Sequence, residues 1–149
     1  MDIFKNEIDI NEDFKNSVDN PNHKGISGKS DDTLRKESES YHQNKFTPAL
    51  MTAKKIICNN KDRILLQQFY KVLISITNSA DEAPHLILGD IFICQSDLVI
   101  SEYTKLNESE KSDILEALKF GFDNVTYNKE KDIKNYKILK NKLLKISNQ

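Results

Sequence analysis

Apolar positions are thin before residue 46 and dense after it. Residues 1–20 carry Ile3, Phe4, Ile8, Ile10, Phe14 and Val18. Ile3, Ile10, Phe14 and Val18 fall near one face of a helix, so the pattern predicts an amphipathic helix over 2–19. Asn20-Pro21-Asn22 stops it. Residues 21–45 hold Pro21, Gly25, Gly28 and a crowd of Ser, Asp and Lys. Such a segment cannot bury enough apolar surface to offset the entropy of ordering it. It reads as a linker, and 1–46 together as a mostly disordered N-terminal extension.

From residue 47 the period becomes helical. Thr47-Pro48 fits a capping residue followed by Pro at the first helical position, opening a short helix to Cys58. Asn59-Asn60 breaks it, with Asn60 placed to cap the next. Over 61–77, Leu65, Phe69, Val72, Leu73 and Ile76 recur at helical spacing, and Leu66, Tyr70 and Ile74 widen the stripe. A helix apolar around much of its girth belongs at the centre of a fold. Residues 79–106 read two ways. Ser79-Ala80-Asp81-Glu82 fits a capping box, and Ile87, Ile91, Cys94 and Leu98 then share a helical face, with a fresh turn from Ser96 or Asp97. Alternatively Gly89-Asp90 joins two β-rich runs in a hairpin over 85–94; the helical neighbours favour the first reading. Another helix follows Asn107, with acidic residues in its first turn and Gly121 near its end. A last one is expected over 129–147, carrying Ile133, Tyr136, Leu139, Leu143 and Ile146. The fold class expected is all-α: a bundle of four to six helices over 47–149 behind a flexible extension, with α+β as the alternative.

Composition narrows function by exclusion. Formal net charge is -1, with 22 Lys and Arg against 23 Asp and Glu. Total charge thus points to neither nucleic acid nor membrane. Only Arg35 and Arg63 are arginines, which argues against bidentate phosphate or base recognition. The Lys-, Asn- and Ile-rich usage is that of an AT-rich microbial genome. No contiguous apolar run is long enough to span a membrane, and the N-terminus lacks the basic-then-apolar order of a signal peptide. Cys58 and Cys94 each sit in an apolar run. They are expected as unpaired, buried thiols in a reducing cytoplasm, with a single disulfide possible but unsupported by two isolated cysteines.

The motifs that resemble chemistry do not complete it. Gly28-Lys29-Ser30 ends like a phosphate-binding loop, but His23 stands where that loop needs its first Gly. His23, His42 and His85 lack partners at metal-ligand spacing, so no metal or cofactor is implied. Enzymatic chemistry would have to centre on His85 with Asp90 or Asp97. The carboxylate pairs Asp97 with Glu102 and Glu110 with Asp113 lack an apolar frame that would raise one pKa for acid–base work.

Charge order is the remaining signal. Residues 81–116 hold nine acidic residues against two lysines, and 129–145 hold seven lysines against two acids. The expected function is therefore a non-enzymatic protein-interaction module, of the inhibitor, immunity or adaptor kind by analogy. Its partner, another protein, would meet Asp81, Glu82, Asp90, Asp97 and Glu102, or Phe4, Ile10 and Phe14 of the extension. The alternative is nucleic-acid binding through Lys134, Lys137, Lys140 and Lys142 of the basic last helix. That helix can equally pack beside the acidic segment within the bundle. A further alternative is a secreted protein with an unstructured N-terminal signal.

Overall fold

The computed structural model describes residues 31–76 and 81–149. Among these residues every regular element is helical and no strand occurs. The order is α1 (Asp31–Tyr41), a π-helical turn (His42–Phe46), α2 (Thr47–Asn60), α3 (Arg63–Ser75), α4 (Ala83–Tyr103), α5 (Glu108–Thr126) and α6 (Tyr136–Ser147). The domain from residue 47 onward is thus an all-α bundle of five helices, as its periodicity predicts. The amphipathic helix expected over 2–19, with Phe4, Ile10 and Phe14, lies outside the described residues, as do 77–80.

The packed region begins earlier than the Thr47 boundary. The linker expected to run to residue 45 is helical from Asp31, and Phe46 is completely buried. Because the chain enters α2 already helical, Phe46 has αR backbone angles and Thr47 caps nothing. Pro48 keeps its expected place in the first turn. The next helix is capped by Asp62 rather than Asn60: its side chain accepts from the Leu65 N–H at 2.9 Å. Lys61 makes the sharp link between α2 and α3 with φ at 53°.

The hairpin alternative over 85–94 is absent; α4 runs through it. This helix, rather than α3, is the bundle's axis, packing against α2, α3, α5 and α6. Ile87, Leu88, Ile91, Phe92, Val99 and Tyr103 are buried on several sides of it. That is why its sequence shows no clean stripe. By length and composition alone, with a mean hydropathy of 1.3, it is long and apolar enough to cross a membrane although no contiguous apolar run is; 44% of that stretch is buried inside the bundle. Gln95 breaks it with φ -141° and ψ 50°, so a second segment starts at Ser96 as expected.

Gly89 and Gly121 are the contact point between α4 and α5. A Cβ on Gly89 would lie 2.5 Å from the Gly121 carbonyl carbon, and one on Gly121 would lie 1.9 Å from the His85 carbonyl oxygen. The backbones can approach this closely only without side chains. Gly89 therefore marks a helix crossing instead of a turn, and Gly121 lies within α5 instead of ending it. Around the crossing, Phe92 meets Phe122 edge-on at 5.5 Å, and Phe122 stacks on Tyr136 at 5.8 Å.

The last helix starts at Tyr136, not near 129, because Asn128 and Asn135 take left-handed backbone angles that interrupt helical continuity. The two cysteines are not free. Cys58 and Cys94 form a disulfide across a Cα separation of 5.6 Å, which ties the last turn of α2 to the bend in α4. Nor is the pair fully buried: Cys94 is exposed and Cys58 half-buried.

Candidate functional site

The glycine crossing brings the first turn of α4 against the middle of α5, and α3 closes one side. A cleft of about 170 Å³ opens there, lined by Leu73 of α3, Glu82 and His85 at the start of α4, and Asp113, Glu116, Ala117 and Phe120 of α5. Its floor is apolar and its walls are acidic. His85 packs edge-on against Phe120, ring centroids 5.8 Å apart and planes at 74°. Phe120 keeps 38% of its surface in solvent, unlike the fully buried Phe92 and Phe122.

Helical geometry explains the grouping. Asp113, Glu116 and Phe120 are three and seven residues apart, hence on one face of α5. Among the described residues, Glu82, Asp113 and Glu116 make no ion pair. Such a site is chemically suited to a cationic group, which its carboxylates could meet and to which the part-exposed Phe120 ring could add a cation–π contact. No lining residue is a hydroxyl or thiol nucleophile.

The other acidic residues singled out by the sequence are occupied within the bundle. Asp81 accepts from the Ala83 N–H at 3.0 Å. Asp90 pairs with Lys54 of α2 at 3.2 Å. Asp97 pairs with Lys142 of α6 at 2.7 Å, and Lys142 also donates to Ser96 at 2.9 Å. Glu102 is buried, with its side chain 1% exposed. It receives Arg63 Nε at 2.9 Å, Lys105 Nζ at 2.7 Å and Gln67 Nε2 at 2.7 Å. Burial pushes this carboxyl up. Hydrogen bonds from Lys105 and Gln67 and the charges of Lys105 and Arg63 together outweigh burial and hold it below its ordinary value. Nearby, the Tyr70 hydroxyl donates to the Val99 carbonyl at 2.7 Å, and burial drives its pKa far upward. Of the five acidic candidates, Glu82 alone faces the cleft.

The four lysines of the basic alternative differ in their surroundings. Lys134 precedes α6 instead of standing on it. Lys142 is held by Asp97, and Lys140 lies over the Tyr136 ring at 5.9 Å. Lys137 is exposed on the helix. Among the described residues, no group of three or more His, Cys, Asp or Glu side chains is placed to hold a metal ion.

Sequence reading placed Glu82 in the site but missed its companions. Asp113 had been grouped with Glu110, three residues away, although Glu110 closes a reciprocal cap with Asn107. His85 and Phe120 looked like core-boundary residues. The usable signal was the i, i+3, i+7 order of Asp113, Glu116 and Phe120 next to a glycine. No family model, curated protein or solved structure matches this chain.

Proposed function

We propose that the chain is a non-enzymatic protein-interaction module whose acidic cleft takes up a lysine- or arginine-bearing segment of another protein. One observation carries this reading: among the described residues, three carboxylates without ion pairs share a cleft with a part-exposed phenyl ring, while Asp90, Asp97 and Glu102 are each ion-paired to a lysine or arginine of the bundle. A surface that keeps unpaired like charges together forgoes stability, and a cationic partner restores it. Small inhibitors, immunity-type proteins and adaptors have this general form, by analogy of size and architecture alone. The docking chemistry is independent of compartment. The expectation of a reducing cytoplasm rested on unpaired thiols, and the two thiols are bridged.

The test is a comparative affinity purification at low salt, using the wild-type chain and a Glu82→Lys/Asp113→Lys/Glu116→Lys variant. A stoichiometric protein partner recovered by the wild type, lost from the variant and released by moderate salt is the expected result. A partner retained equally by both proteins would place the contact elsewhere.

A further inference from the structure

A second opening lies at the far end of the α4 bend. It has a volume of about 340 Å³ and is lined by Lys61, Arg63, Cys94, Gln95, Ser96, Asp97, Leu98 and Ser101. Cys94 lines this cleft and is exposed, whereas Cys58 is half-buried and outside it. The two residues of the bridge are thus unequal in exposure. They are unequal in surroundings as well. Lys61 stands on the left-handed link after α2 and lines the approach to Cys94 without an ion pair among the described residues. Arg63 and Asp97 also line the cleft, but Arg63 is held by Glu102 at 2.9 Å and Asp97 by Lys142 at 2.7 Å. An incoming anion therefore meets Lys61 as the unopposed charge of the cleft.

We propose that the Cys58–Cys94 bridge is a thiol-exchange site, opened by attack of a small anionic thiolate on Cys94 Sγ. The thiolate sulfur bonds to Cys94 Sγ as the Cys94–Cys58 bond breaks, and Cys58 Sγ leaves with the electron pair. Cations near the bridge favour departure of a thiolate. A second small thiolate then attacks the sulfur of the first. This releases the Cys94 thiolate and a small-molecule disulfide. Both cysteine thiolates take protons from water, so the protein gains two electrons and two protons, and two small thiols supply them. Exchange at this place unties α2 from the bend in α4. The Gln95 Nε2 hydrogen bond to the Cys58 carbonyl, at 2.8 Å, remains to hold the joint.

The experiment uses the full oxidised chain in native buffer, with 3-mercaptopropionate as the anionic thiol and 2-aminoethanethiol as the cationic one. Rates are normalised to thiolate concentration. Acid-quenched, alkylated samples are mapped by peptide mass spectrometry. The mixed disulfide is expected on Cys94, with the alkyl group on Cys58. The anionic thiol should react about threefold faster or more at low salt, and Lys61→Gln or high salt should shrink that preference. The proposal is overturned if aerobically purified protein has two free thiols, if the adduct falls on Cys58, if the thiols react equally fast, or if reduction requires denaturant.

Discussion

Replacing Gly121 with Ala sets two physical effects against each other. On an ordinary helix the change is favourable by about 1 kcal/mol, because Ala loses less backbone freedom. Here the new methyl would sit 1.9 Å from the His85 carbonyl oxygen and 2.8 Å from its carbon. Normal contact is near 3.4 Å, so the helices must part by roughly 1–1.5 Å at the crossing. The obstacle is helical backbone, which cannot rotate aside as a side chain can. Parting α4 from α5 loosens Phe92 on Phe122 and the fully buried Leu88 and Leu118. Overpacking of this severity costs about 3–4 kcal/mol, leaving a net loss of about 2–3 kcal/mol after the propensity gain. For a domain of this size that is a melting temperature lower by roughly 10 °C or more. Urea and thermal unfolding followed by far-ultraviolet circular dichroism measure it. Gly89→Ala should be milder, since its nearest contact is 2.5 Å. A Gly121→Ala protein as stable as the wild type would falsify the close crossing.

Three further outcomes test other parts of the fold. Glu102→Gln should cost about 2–3 kcal/mol at neutral pH, below the value for fully buried pairs because Arg63 and Lys105 are half-exposed. The Glu102 carboxyl titrates below its ordinary value in the folded chain. Its stabilisation is therefore complete above the unfolded pKa and is lost as pH falls through the folded one. The variant should unfold in acid with a flatter stability profile, and an unchanged acid limb would contradict the network. Asn107→Ala removes a reciprocal cap in which the Asn107 side chain accepts from the Glu110 N–H at 2.9 Å and Glu110 accepts from the Asn107 N–H at 3.1 Å. A loss of about 1 kcal/mol in urea unfolding is expected. Tyr70→Phe should cost about 1–2 kcal/mol through the lost bond to Val99, and a neutral effect would argue against that bond.

Helical periodicity made most of the bundle legible, because i, i+3 and i+4 neighbours are local. Leu65, Phe69, Val72 and Leu73 were readable as one buried stripe, and all four are buried. What periodicity could not supply was pairing over distance. Arg63 and Gln67 of α3 meet Glu102 of α4, and Lys142 meets Asp97 across 45 residues. Three acids that looked like an interaction face, Asp90, Asp97 and Glu102, were thereby paired within the chain, while Asp81 accepts locally from the Ala83 N–H. Gly89 looked like a turn because a glycine needed for close approach and one needed for a turn are identical in sequence. The same holds for Cys58 and Cys94, whose apolar neighbours signal burial but whose bridge depends on where α2 ends and α4 bends. Helix α1 escaped notice because it is polar nearly throughout, with Leu34 its lone aliphatic residue.

The central claim is that the acidic cleft receives a cationic side chain. The direct measurement is a titration of the isotopically labelled full chain with a short arginine- and lysine-bearing peptide, followed by two-dimensional NMR at low salt. Shifts concentrated at Glu82, His85, Asp113, Glu116, Ala117 and Phe120, and abolished in the Glu82→Lys/Asp113→Lys/Glu116→Lys variant, are the predicted result. Shifts spread over Asp90, Asp97 and the basic last helix, or unchanged in the variant, would contradict it.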